Sequence, residues 1–299
     1  MFFVRLLREG HIRVGVLGFG GAEIGSERTS ADVVARLLGE ALDAGLNVID
    51  TAEYYLDSEE LIGRAVAGRR QECFLFTKCG HPERPGVGDW RPESLLESIG
   101  RSLRRLQTDR VDLVQLHSCS EDELRKGDVI AALQEARRKG CTRYIGYNGD
   151  GPAARYAIEC GAFDTLQTSV SIAAQEAIDL TIPLAYERGL GIIAKRPIAN
   201  AAWRYAERPQ DAYHRPYWER LRRLDYEFLR EGPETAAAVA LRFTLSVPGV
   251  DTAIVGTARP GRIRENAGLV AAGPLHDRDY EAIRARWRAV AGADWGGQV

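Results

Sequence analysis

The chain has 299 residues, 45% hydrophobic and 27% charged, with a formal net charge of -2 and a pI near 6.3. That balance fits a globular protein with a sizeable core. It gives no electrostatic reason to expect nucleic acid or an anionic membrane surface as a partner. The five cysteines (Cys73, Cys79, Cys119, Cys141, Cys160) are scattered and none forms a CxxC pair, which argues against a disulfide framework and a zinc site. No segment approaches the roughly 20 apolar residues of a membrane span, and MFFVRLLREG has no small-residue cleavage site. The expectation is a soluble, cytoplasmic protein without a metal.

In chain order, residues 1–13 read as two short strands around a Glu9-Gly10 turn, a hairpin placed to plug the bottom of a barrel. Short β-branched runs then alternate with longer amphipathic stretches. Strands are expected at 14–19, 46–50, 73–78, 110–116, 141–146, 164–170, 190–195 and 251–255. Helices are expected at 31–44, 58–68, 92–107, 128–139, 152–160, 175–188, 234–246 and 260–270. Ser30 and Pro92 mark helix openings, and Gly45 and Gly140 mark helix ends. Eight such units with near-continuous apolar strands predict an α/β fold. It is a (β/α)8 TIM barrel whose N-terminal β-hairpin closes the bottom, one domain over residues 1–299. A doubly wound open sheet is the structural alternative.

Residues 80–91 and 196–233 exceed the usual connection length and follow strand C-terminal ends, where barrel active sites are built. With the tail 272–299 they are expected to set specificity, and Trp90 and Trp203 read as pocket-lining residues. The aromatics of 196–233 have a second reading, as anchors that hold a long loop down.

At the strand ends themselves stand Asp50, Lys78 and His117, with Tyr55 five residues past Asp50. Singly, each has an ordinary explanation as a turn cap, a surface charge or a core histidine. Together they make a proton-donating device. A free phenol has a pKa of about 10, and a neighbouring ammonium lowers it. A carboxylate orients the lysine, and an imidazole hydrogen-bonds a carbonyl oxygen.

These residues lie in DTAEYYLDSEELIGRAV (50–66), TKCG (77–80) and DLVQLHS (112–118), and here the sequence resembles the aldo-keto reductases from VLGFGG (16–21) to RIRENAG (262–268). The resemblance implies a catalytic tetrad of Asp50, Tyr55, Lys78 and His117, with Tyr55 the general acid in reduction. It implies NADPH as cofactor, with NADH the other candidate, and a small-molecule carbonyl substrate. GFGGAEIG (18–25) is a weak dinucleotide fingerprint; in the family the matching Gly20 and Gly21 let the first loop approach the nicotinamide. Asn148 and Gln167 match its carboxamide partners.

Gly256, Thr257, Arg259, Arg262 and Asn266 match the segment that grips the adenosine end, at a helix N-terminus suited to phosphate. Two departures stand out. Tyr147 replaces the family's usual serine before Asn148, and Lys195-Arg196-Pro197 replace an aromatic that stacks on the nicotinamide. Two other functions fit parts of the sequence: a Schiff-base aldolase using Lys78, and a catalytically weak NADPH-binding regulatory or sensor protein. The oligomeric state is left open.

Overall fold

The structure is a computed structural model that describes residues 4–7, 12–81 and 88–298. An antiparallel hairpin, β1 (Val4–Leu7) and β2 (Ile12–Gly15), comes first. Eight parallel strands then close into a barrel. They are β3 (Leu17–Gly20), β4 (Val48–Asp50), β5 (Phe74–Cys79), β6 (Val111–His117), β7 (Thr142–Asn148), β8 (Thr165–Ser169), β9 (Gly191–Lys195) and β10 (Thr252–Gly256). Closure is made by β10, which pairs with both β9 and β3.

Side chains alternate between the two faces of each strand, and the alternation here sorts the core into two parts. Ile49, Leu75, Val114, Ile145, Leu166, Ile192 and Val255 point outward against the helices in one large cluster. Val48, Phe76, Leu113, Ile193 and Ile254 point inward and pack with Leu7, Ile12 and Val14 of the hairpin. The hairpin therefore floors the barrel with apolar side chains. Leu7→Ala is expected to cost about 2–5 kcal/mol of stability, the usual range for a fully buried leucine. A urea unfolding curve checks it.

Several expected boundaries differ from the structure. The run 14–19 is split, because Val14 and Gly15 pair with Arg5 and Val4 and the barrel strand starts only at Leu17. The chain turns at Val16, whose carbonyl accepts the Ala253 amide at 2.9 Å. The Glu9-Gly10 turn and residues 82–87 of the expected loop 80–91 lie outside the described residues. The single helix expected at 175–188 is two, Glu176–Leu180 and Ile182–Glu187. Pro183 has no N–H for a continuous helix to bond to the carbonyl four residues back, and it stands instead in the first turn of the second helix, where none is needed.

The expected loop 196–233 holds a helix, Arg215–Leu224, and the tail 272–299 holds another, Asp277–Val290. Their buried faces include Arg220 and Arg284, so the apolar period is broken in the sequence. Both guanidiniums are hydrogen-bonded: Arg220 donates to the carbonyls of Ala173 and Gly296, at 3.1 and 2.8 Å. Arg284 donates to Gln175 Oε1 at 2.7 Å and Asp179 Oδ1 at 2.5 Å.

Candidate active site

Each residue two places after an inward floor residue also points inward, one layer higher. Asp50, Lys78, Gln115 and Lys195 follow Val48, Phe76, Leu113 and Ile193 in this way, and His117 comes one layer above Gln115. Strand register sets Asp50 beside Phe76, Lys78 beside Gln115, and His117 beside Asn148, which in turn pairs with Gln167. The barrel thus gathers its polar side chains at the C-terminal mouth.

Asp50, Lys78, Gln115, Gln167 and Asn148 form one hydrogen-bonded mesh. Lys78 Nζ is bonded to Asp50 Oδ2 and donates to the Thr51 carbonyl at 3.0 Å. Both side chains are almost fully buried, 1% and 2% exposed, so the ion pair has little solvent to replace it. Asp50 Oδ1 accepts from Gln167 Nε2 at 3.0 Å and from Gln115 Nε2 at 3.5 Å, and Asn148 Nδ2 donates to Gln167 Oε1. Buried polar groups are costly unless partnered, and this mesh orients them, leaving only Gln115 Oε1 among its side-chain atoms buried without a partner.

Tyr55 arrives from the loop after β4. Its ring lies 5.8 Å from the His117 ring, nearly perpendicular to it, and Lys78 Nζ is 5.2 Å from its centroid. The loop is held from two sides. Helix Ala22–Ser26 packs on the Tyr55 carbonyl so closely that a Cβ at Gly25 would lie 2.1 Å from that oxygen. Beneath it, buried Glu53 accepts from Arg101 Nε at 2.6 Å and from Ser98 Oγ. Buried Glu59 accepts from Thr77 Oγ1 at 2.6 Å and lies 3.4 Å from Arg105.

Burial, and after it the Asp50 charge, push the Tyr55 phenol well above its ordinary range, with Arg196 acting in the opposite sense. This differs from the expected lowering by Lys78, whose charge is engaged by Asp50. Burial also lowers the Lys78 ammonium against the pull of Asp50. His117 is held well below the ordinary histidine value by burial first, then by Lys78 and His81, and is therefore a neutral imidazole.

His81 is not among the residues expected from the sequence. Its ring stands 5.6 Å from His117 and 5.2 Å from Trp90, so it links Trp90 to the site. Trp203 instead packs against the second core cluster with Ala199 and Tyr217, as a loop anchor does. Tyr147 faces outward and donates to the Cys119 carbonyl at 2.6 Å. Gln115 and Tyr54, whose ring is 6.1 Å from His117, also border the site. Strand alternation back from His117 points to Gln115; nothing in the sequence marks Tyr54 or His81.

The remaining candidates ring the mouth on one side. Lys195 pairs with buried Asp150 at 3.0 Å. Burial lowers the Lys195 ammonium, whereas at Asp150 the burial effect is outweighed by Lys195 and hydrogen bonds, so that carboxyl is lowered. Arg196 adopts a left-handed backbone (φ 57°) that places its guanidinium 5.4 Å from the Tyr213 ring, and the Pro197 carbonyl accepts from Thr244 Oγ1 at 3.2 Å. Left-handed non-glycine residues are strained and gather at functional loops.

Gly20 pairs with Gly256, and the Gly21 amide donates to the Asp50 carbonyl at 2.8 Å. A Cβ at Gly256 would lie 1.6 Å from a Glu23 carboxyl oxygen. Thr257 Oγ1 accepts the Arg259 amide at 3.0 Å, and Arg262 pairs with Glu265 at 2.7 Å. Asn266 is buried, and its side chain makes no hydrogen bond among the described residues.

These residues fit a dinucleotide. The side-chain amides of Asn148 and Gln167 line the mouth, Gly20 and Gly256 bring the β3 and β10 backbones together beside it, and the Asn266 side chain, without a hydrogen bond among the described residues, lies on the helix beyond. Among the described residues no group of three metal-ligating side chains is found, and no helix is long and apolar enough to cross a membrane.

Comparisons agree with this geometry. Residues 16–288 match the Aldo/keto reductase family. The fold is similar to that of the holo form of aldo-keto reductase AKR11C1 from Bacillus halodurans, with a TM-score of 0.85, 26% identity and 99% of each chain covered. The sequence is 26% identical over 281 residues to L-galactose dehydrogenase of Arabidopsis thaliana, covering 89% of this chain and 88% of the relative. It is 29% identical over 203 residues to the NADH-specific methylglyoxal reductase of Escherichia coli, covering 62% of each. The match across most of the chain and the closed barrel place this protein in the aldo/keto reductase family, as an oxidoreductase of carbonyl compounds that uses a nicotinamide cofactor.

Proposed function

We propose that this chain is an NADPH-dependent reductase of aldehydes and ketones, acting by direct hydride transfer with Tyr55 as general acid. The observation that carries this reading is the convergence of half-buried Tyr55 and His117 on the buried Lys78–Asp50 pair at the barrel mouth. The cofactor, when bound, supplies the hydride to the carbonyl carbon.

The protein's own groups handle the oxygen. His117, kept neutral, donates an N–H to the carbonyl oxygen and fixes its position. Tyr55 keeps its proton at neutral pH and releases it only as negative charge builds on that oxygen. A developing alkoxide is basic enough to take it. The phenolate left behind sits beside Lys78 and regains a proton from solvent.

Gln167 and Asn148 are assigned to the carboxamide, and Gly20 and Gly21 to a bare approach beside it. Lys195, Arg196 and Pro197 are assigned to the nicotinamide and pyrophosphate side. Gly256, Thr257, Arg259, Arg262 and Asn266 are assigned to the adenosine end. Trp90, reaching the site through His81, is assigned to the substrate wall. The whole chain acts as one cytoplasmic barrel domain. Two of the relatives above are named for L-galactose and methylglyoxal, so we place the substrates among small, oxygen-rich carbonyl compounds.

Fluorescence titration with NADPH and NADH, followed by a carbonyl panel, tests the proposal. Binding with carbonyl-dependent oxidation of the cofactor supports it. Tight binding without turnover on any carbonyl points to the sensor reading, and no binding of either dinucleotide contradicts both.

A further inference from the structure

The start of helix Arg262–Ala271 is not the open anion site its sequence implies. Its N-cap, Gly261, is left-handed (φ 84°), and its amide is already taken: a carboxyl oxygen of Glu40 accepts that N–H at 2.9 Å. Glu40 comes from helix Ala31–Asp43, on the other side of the β10–β3 seam. The adjacent donors are committed as well, the Arg259 amide to Thr257 and the Arg262 guanidinium to Glu265. Arg259, nearest the Thr257 turn, is exposed and has no carboxylate partner among the described residues, and Arg264 one turn on is likewise exposed and unpaired.

A 2′-phosphate brought to this amide meets a like charge holding the donor it needs. A ribose 2′-hydroxyl is itself a donor, and a carboxylate accepts from it. We propose that Glu40 is a cofactor-selectivity residue that disfavours the 2′-phosphate and keeps NADH competitive with NADPH; this rests on the dinucleotide reading given above.

The test is fluorescence titration of wild type and Glu40→Gln with NADPH and NADH, and with 2′,5′-ADP and 5′-AMP as fragments. Glutamine retains an oxygen for the Gly261 amide while removing the charge, and an unchanged melting temperature confirms that the tether survives. The ratio of NADPH to NADH affinity is expected to rise about tenfold, as removal of one charge near a dianion gives at a solvated surface. The gain is expected to shrink in high salt. Arg259→Ala, with Glu40 in place, is expected to move the ratio the opposite way. An unchanged ratio, with both dinucleotides still bound, overturns the role of Glu40 alone. Failure of the wild type to bind either dinucleotide overturns the cofactor reading and this proposal together.

Discussion

Replacing Tyr55 by phenylalanine is expected to lower kcat for carbonyl reduction by about 10²- to 10⁴-fold, the usual contribution of a positioned general acid. Dinucleotide affinity is expected to stay close to wild type, because the phenol lies among His117, Lys78 and Tyr54 rather than on the adenosine side. The fold is expected to persist too, since the aromatic ring and its edge contact with His117 are retained. Steady-state kinetics together with binding separates the two effects. Undiminished turnover in Tyr55→Phe removes Tyr55 from the mechanism.

The second large effect concerns the buried ion pair. Lys78→Met leaves Asp50 in a site where both partners are almost fully shielded from water, with only the Gln167 and Gln115 amides to hold it. Breaking such a pair from one side costs about 3–5 kcal/mol. Asp50→Asn combined with Lys78→Met removes both charges, and is expected to recover much of that stability without recovering turnover. Denaturant unfolding reads the first effect and kinetics the second. A single variant as stable as wild type contradicts the view that burial leaves Asp50 dependent on its partner.

Particular residues explain how much of this is legible in the sequence. Asp50, Lys78 and His117 stand out because apolar runs end on them, and strand alternation then forces all three to one face. Gln115 obeys the same alternation but lies inside an apolar run, where a single polar residue looks unremarkable. His81 and Tyr54 reach the site through loop geometry that no spacing rule gives. The phenol of Tyr55, expected to be lowered by its ammonium neighbour, is instead pushed up by burial and the Asp50 charge, which also engages Lys78.

Tyr147, a departure from the family pattern, is accommodated on the outer face by a bond to the Cys119 carbonyl. The helices Arg215–Leu224 and Asp277–Val290 look like loop and tail in the sequence because arginines sit on their buried stripes. Glu40 is invisible there for a different reason: its partner Gly261 is 221 residues away, and only closure of the barrel brings them together.

The most direct test of the central claim is to follow the hydride itself. Wild-type protein would be supplied with NADPH carrying deuterium on the transferable position of the nicotinamide, and with a carbonyl compound it reduces. Direct transfer predicts one deuterium on the former carbonyl carbon of the alcohol, with none acquired there from D2O when unlabelled cofactor is used. Product labelled from solvent at that carbon, or alcohol formed without oxidation of the dinucleotide, would contradict the account.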